Sequence, residues 1–388
     1  MPKFVLLQRS NLSEDQWHSM LISLLRGLAA LQVAAAHLRA QVYPGFDTVQ
    51  NPSLAFQGLA FASGFAYLAV IVFFVLSGWL VGGSLLNRLD TNQAITNYAI
   101  DRATRLWIVL IPTFVAIWIF GLVTAELHVP PLSFAPDNAY SAAAFFGNLV
   151  GLQTILVPEF GGNFPLWSLA NETWYYVLFP LLIMLFRTHS AVYRLVILLV
   201  VAVIVHLLNS AILLYFSIWL LGAAFSRVRI DCSAFVRWAL FLLLVTAAVG
   251  IRMKGKSGIE VDNFAQYLLF SVIFVLFLSS MQYKRQRTVS IELMSKMGRF
   301  FSEFSFTLYV LHIPLMGAFL HFARPAIGGV RLDPNQPMHL LVYLLLYLGL
   351  VVGAYLFHLP FEAKTYRVRQ WLKSIWVARR GAVNTGTP

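Results

Sequence analysis

Two ionisable residues share one face of an apolar stretch near the start of the chain. Residues 25–40 read LRGLAALQVAAAHLRA, and eleven positions separate Arg26 from His37. In an α-helix that spacing returns to within about 20° of the same direction and sets the groups about 16.5 Å apart along the axis. A guanidinium can hold an anion and an imidazole can take a proton from a hydroxyl. The bland alternatives are a snorkelling arginine near a helix end and a histidine bonded to a backbone carbonyl. Both groups are costly in lipid, and their sharing of one face favours function.

Other stretches carry comparable groups. YAIDRATRLW at 98–107 sets Arg102 and Arg105 one helical turn apart, where they can grip a phosphate; inner-leaflet anchoring explains them as well on this stretch alone. In NFPLWSLANETWYYVLFPLL at 163–182, Trp167, Trp174, Tyr175 and Tyr176 form an aromatic belt with Glu172 just inside it. Span counting puts Glu172 at a depth similar to His37, which suits a general base with an orienting carboxylate; the alternative is a hydrated, idle carboxylate. SEFSFTLYVLHIPL at 302–315 holds His312 with Tyr309 on the same face, a pair compatible with a polar pocket or with a structural histidine. FFVLSGWLVGG at 73–83 has small residues spaced for close helix packing, with Ser77 a minor candidate for a site contact. His128, His206 and His339 read as peripheral. No HExxH, phosphate-binding loop or G-x-S-x-G motif occurs, and Cys232 is the only cysteine, so no metal is expected.

The elements that position these groups must be membrane helices. The chain of 388 residues is 59% hydrophobic and only 11% charged, too little charge for a soluble surface. Repeated apolar runs of bilayer-crossing length predict an all-α polytopic membrane protein of about ten spans: 21–40, 60–86, 106–127, 166–186, 191–209, 211–226, 235–251, 264–281, 299–321 and 338–360. The first run is read as a retained span, not a cleaved leader, because Arg26 interrupts it and a polar segment precedes it. The stretch 141–157 reads as partly inserted or packed outside the span count.

The net charge of +12 is an orientation device and not a nucleic-acid stripe. With both ends cytoplasmic, 21 of the 28 Lys and Arg residues fall inside; Arg39, Arg252, Lys254, Lys256, Arg324 and Arg331 fall outside, and Arg26 lies within a span. The expected organisation is a cytoplasmic segment 1–20, a transmembrane domain 21–370 and a basic cytoplasmic tail 371–388 ending in the disordered-looking GAVNTGTP.

Five motifs in order resemble those of the membrane-bound acyltransferase-3 family of bacterial O-acyltransferases. LRGLAALQVAAAH resembles its R-x10-H signature, FFVLSGWL its FFVLSGFL, DRATR its R-x-x-R, FPLWSLANETWYYVLFP its LWSL-x-x-E block and FSFTLYVLHIPL its SYxxYLxH block. The family often has a second acidic residue in the LWSL block, where this chain has Thr173 after Glu172. Its late acidic-x-Pro motif survives only as PFEAKTY, with Glu362. The resemblance implies ten transmembrane helices in a bacterial inner membrane, an acyl-CoA donor (commonly acetyl-CoA) and transfer to a hydroxyl, usually of a carbohydrate such as exopolysaccharide, O-antigen or lipo-oligosaccharide.

On that basis Arg102, Arg105 and Arg26 are expected to hold the CoA phosphates. His37 is the expected base with Glu172 orienting it, at the top of one polar tunnel. Ser77, Tyr309, His312 and Glu362 are candidate lining residues, with Tyr309 or His312 as oxyanion donor. An acyl-enzyme relay is the other mechanism. The rival function is a secondary transporter or flippase of a lipid-linked glycan, using the same buried groups as a substrate and proton path.

Overall fold

A computed structural model describes residues 2–91, 93–124, 138–255, 258–286, 288–323 and 331–384. His128 and the basic residues Lys256, Arg287 and Arg324 lie outside the described residues. The elements in chain order are β1 (Lys3–Leu6), α1 (Trp17–Val42), α2 (Leu54–Ala62), α3 (Ala66–Ser77), α4 (Gly83–Leu86), α5 (Ala94–Val123), α6 (Ala142–Leu149), α7 (Leu166–Arg187), α8 (Ala191–Leu207), α9 (Ser210–Phe225), β2 (Val228–Asp231), α10 (Ala234–Met253), α11 (Phe264–Ser280), α12 (Val289–Glu303), α13 (Ser305–Ala323), α14 (Pro337–His358) and α15 (Thr365–Asn384). The only sheet among the described residues is the antiparallel pair β1–β2, with Lys3 opposite Asp231, which ties the start of the chain to the α9–α10 connection.

The fold is that of an all-α polytopic membrane protein. Eight helical stretches among the described residues are long and apolar enough to cross a bilayer. The ten expected spans map onto these and onto the shorter apolar helices α8 and α9. Those two, of 17 and 16 residues, are about 24–26 Å long against a hydrocarbon core of about 30 Å. Large apolar side chains stay exposed along α8 and α10, including Leu195, Leu199, Val203, Trp238 and Leu242, the surface that lipid covers. The protein core lies instead around Trp79, Tyr175, Tyr215, Trp219 and Tyr267.

Four boundaries differ from expectation for physical reasons. The run 60–86 begins at Leu54 and is broken by a tight turn at Ser63–Phe65 and a π-turn at Gly78–Gly82. The expected span 106–127 begins twelve residues earlier, at Ala94, so the helical turn expected to carry Arg102 and Arg105 is continuous with the span. The expected span 299–321 is two helices: Lys296, Arg299 and Glu303 cannot enter hydrocarbon with the rest, and the chain breaks at Phe304. The helix α12 that results lies on α1 through Gly298 and Ser302, with Leu293, Met294, Met297 and Phe300 facing outward. Finally, α15 runs across position 370, so the boundary drawn there falls inside a helix, and the helix continues to Asn384 through part of the expected disordered end.

The segment 141–157 forms no span; it is a re-entrant hairpin alongside α5. Trp118 Nε1 donates to the Tyr140 carbonyl at 3.0 Å and Trp107 Nε1 to the Leu149 carbonyl at 2.8 Å. Those tryptophans are eleven helical positions apart, so α6 descends about 16.5 Å along α5. Irregular backbone is tolerated at such depth only when its polar groups are paired within the protein. Asn148 does this for the loop, donating to the Ala144 and Pro158 carbonyls and accepting from Phe160 N. Gln153 and Asn163 donate to the carbonyls of Leu166 and Val310.

Close approach of α3 and α9 rests on glycine. A Cβ at Gly78 would lie 1.9 Å from the Trp219 carbonyl oxygen, and one at Gly222 would lie 2.1 Å from that of Val75. The small residues of FFVLSGWLVGG are therefore packing positions, as expected, and the π-turn they form leaves Ser77 facing a cavity.

Candidate active site

Two cavities flank the middle of α1. The larger, about 550 Å³, is lined by Arg26, Arg102, Arg105, Arg299 and Arg369 and by three carboxylates, Glu172, Glu303 and Glu362. The smaller, about 360 Å³, is lined by His37, Arg39, Arg252, Phe164, Trp167 and Tyr67 among others. Val70 and Tyr309, both buried, contribute to both walls. Arg26 and His37 thus reach different chambers set back to back, and the one continuous tunnel expected from their shared face is divided at Val70 and Tyr309.

Helix α13 supplies the partner of His37. His37 Nδ1 lies 2.8 Å from His312 Nε2, and His312 Nδ1 lies 2.7 Å from the Tyr309 carbonyl oxygen. A carbonyl only accepts, so His312 Nδ1 carries the proton, and the neutral His312 ring then offers Nε2 as an acceptor. His37 must therefore donate from Nδ1, which leaves its Nε2 lone pair as the basic position in the smaller cavity. The tautomers follow by elimination from the two contacts. Phe164 packs edge-on against the His37 ring, with centroids 4.9 Å apart.

This corrects the expected pairing of His37 with Glu172. The re-entrant hairpin delivers α7 into the fold already buried at Leu166, so Glu172 lies deeper than span counting placed it and faces the arginine-lined cavity. There it accepts from the Tyr176 hydroxyl in a short contact. Tyr176 also meets Ser77 Oγ at 3.2 Å, and Ser77 accepts from Trp219 Nε1 at 3.1 Å. The donors of this chain all run toward Glu172, which accepts the last of them. Nor is His312 an oxyanion donor, since both its nitrogens are committed. The Tyr309 hydroxyl is held by Ser168 Oγ at 2.6 Å and by the Pro165 carbonyl at 3.1 Å.

The arginines of the larger cavity are not equivalent. Arg105 Nη1 pairs with Glu362 Oε1 at 2.5 Å, and Glu362 also accepts from Thr307 N at 3.0 Å and Thr307 Oγ1 at 2.6 Å. Glu362, introduced by family resemblance, is thus a buried clamp for Arg105 in the turn between α14 and α15. Arg102 lies over the Tyr176 ring at 5.7 Å. Neither Arg26 nor Arg102 forms an ion pair or hydrogen bond among the described residues, so both guanidiniums are free to take an anion from the cavity. Asp101, the buried neighbour of Arg102, gathers Arg88 at 3.1 Å, Arg369 at 3.4 Å and Lys373 at 2.6 Å, and so fixes α15 across α5.

Sequence reasoning missed the His37–His312 contact, which joins residues far apart in the chain. It also missed Arg39 and Arg252 as cavity residues, counting them only as outside charges. Among the described residues no cluster of three or more His, Cys, Asp or Glu side chains is arranged to hold a metal. His206 ends α8 and His339 accepts from Asp333 N at 2.7 Å; neither lines a cavity named above.

Comparison with known proteins returned no match among curated proteins and none among solved structures. A family model described as an acyltransferase domain matches residues 22–359, the region containing the smaller cavity, most of the larger cavity's lining and every candidate site residue except Glu362. With the R-x10-H, R-x-x-R, LWSL and histidine-bearing motifs lining two cavities set back to back in a bundle of membrane helices, the chain belongs to the acyltransferase-3 family of membrane acyltransferases.

Proposed function

We propose that the protein is an O-acyltransferase of the bacterial inner membrane. It takes an acyl group, acetyl as the leading candidate, from acyl-CoA on the cytoplasmic side and passes it to a hydroxyl of a glycan on the outer side. The orientation rests on the distribution of Lys and Arg, which favours both chain ends inside and therefore the Arg26 cavity inside. The observation that carries the reading is the His37–His312 contact in a chamber sharing its back wall with the arginine-lined chamber.

Arg26 and Arg102, with Arg105 set by Glu362, form a cationic site suited to CoA phosphates. The pantetheine arm then brings the thioester to the Val70–Tyr309 wall, whose side chains move aside to admit it to the His37 chamber. His37 Nε2 takes the acceptor's hydroxyl proton as the oxygen adds to the thioester carbonyl. The C–S bond breaks, and the CoA thiolate takes the proton back from the imidazolium, leaving an ester, a free thiol and neutral His37. His312 holds the His37 ring and its tautomer throughout. Glu172 balances charge among the arginines. Direct transfer needs no nucleophile beyond the acceptor, so an acyl-enzyme relay is not invoked.

The test is transfer of labelled acetyl from acetyl-CoA to a glycan acceptor by the purified protein in nanodiscs. His37→Ala is expected to abolish transfer and retain acetyl-CoA binding. A wild-type protein that binds no CoA, yet moves a lipid-linked glycan across the bilayer, would overturn the reading in favour of transport.

A further inference from the structure

The smaller cavity holds a feature that attack on a neutral sugar hydroxyl does not require: two guanidinium groups, Arg39 from α1 and Arg252 from α10, share its wall with His37. No Asp or Glu lines that cavity, and neither arginine forms an ion pair among the described residues. Arg252 Nη2 donates to the Ala60 carbonyl at 3.0 Å, and the buried Nε atoms of both arginines are without a partner. Both charges line the same cavity wall.

The seat of Arg252 is specific. A Cβ on Gly64 would lie 1.9 Å from Arg252 Nε and 2.3 Å from its Cζ, so the guanidinium rests on bare backbone at the Ser63–Phe65 turn that interrupts the second span. Any side chain at position 64 forces the guanidinium to shift from this seat. Two like charges seated in a partly dry chamber with unused donors are in an unfavourable state that an oxyanion resolves. Trp167, Phe164 and Tyr67 supply flat apolar surfaces beside them, suited to the faces of a sugar ring.

We propose that Arg39 and Arg252 form an oxyanion subsite, so that the acceptor is an acidic glycan whose carboxylate or phosphate is held there while a neighbouring hydroxyl meets His37. The inference rests on the acceptor-side reading of this cavity given above and narrows its substrate class.

The experiment uses the full chain in zwitterionic nanodiscs and two pairs of probes: a uronic-acid hexasaccharide with its methyl ester, and a sugar phosphate with the free sugar. Direct binding and acetyl transfer are both measured, with acetyl-CoA binding reporting that each variant is folded. Losing a charge-assisted contact corresponds to roughly a ten- to hundredfold change. The wild type is expected to favour the acidic member of at least one pair by that factor, and R39Q, R252Q and G64A each to collapse the preference toward unity. The pair that shows it separates carboxylate from phosphate.

Equal binding of charged and neutral probes by the wild type, or a preference untouched by all three variants, overturns the proposal even if transfer proceeds. Arginine-dependent binding of phosphatidylglycerol with no discrimination between sugars also overturns it, in favour of a lipid headgroup. Arginine-dependent binding of acidic sugar without acetyl transfer supports the subsite and counts against the acetyltransferase reading instead.

Discussion

His37 donates from Nδ1 to His312 Nε2 across 2.8 Å, and His312 is in turn fixed by the Tyr309 carbonyl of its own helix. The second histidine thereby decides which nitrogen of the first carries the proton.

Replacing His312 is therefore expected to act on turnover and not on donor binding. His312→Ala frees the His37 ring to change tautomer and rotamer, and should lower kcat by roughly 10²–10⁴-fold with the acetyl-CoA Kd unchanged. The double variant with His37→Ala should be no worse than His37→Ala alone, because the pair acts as a unit. Initial rates decide it, and wild-type turnover in His312→Ala would refute the orienting role.

The Arg105–Glu362 clamp makes a stability prediction. Glu362 is 1% exposed, and neutralising it leaves Arg105 facing a desolvated, unmatched partner. Glu362→Gln should cost about 3 kcal/mol or more. Thr307→Val, which removes one of the two Thr307 donors and keeps the backbone one, should cost about 1 kcal/mol. Thermal unfolding in detergent checks the order; equal midpoints for the two variants would contradict it.

Glycine substitutions provide a contrast within the second span. Gly78→Ala drives a methyl group into the Trp219 carbonyl and should cost about 3 kcal/mol or more, seen as loss of monodisperse protein on size exclusion. Gly58→Ala, with nothing within 4 Å of the new Cβ, should leave the elution profile and melting point unchanged or slightly improved. The prediction fails if the two behave alike.

Asp101 makes the placement of α15 testable. It is the anchor for Arg369 and Lys373, and Arg369 and Tyr366 line the larger cavity. Asp101→Asn should loosen residues 365–376, raising their amide exchange roughly tenfold while α5 stays protected. Unchanged exchange in that segment would show that apolar packing alone holds the helix.

Much of this architecture was legible in the chain because lipid imposes a strict rule: long uncharged runs cross, and charged ones do not. That rule found the long apolar helices but not α6, α12 or α15. It failed at 299–321, where Arg299 and Glu303 open an apolar run yet belong to the preceding surface helix, and at Ala94, where a buried Asp101 paired with cations extends the helix beyond its apolar part. Spacing within one helix foretold that Arg26 and His37 share a face. Spacing between helices foretold nothing, so the His37–His312 contact was invisible and Glu172 was assigned to the wrong chamber. That error came from the re-entrant hairpin, whose depth is set by Trp107, Trp118 and Asn148 through contacts no hydropathy pattern encodes. Arg39 and Arg252 read as topology markers because a charge count does not know which way a side chain turns.

Two hollows set back to back in a membrane protein would make a channel if they merged. Val70 and Tyr309 stand where they would meet, and the tyrosine hydroxyl is tethered to Ser168 and Pro165, so the partition is braced by a second element. Under the proposed function, this partition lets a reactive group change chambers without a standing leak of ions.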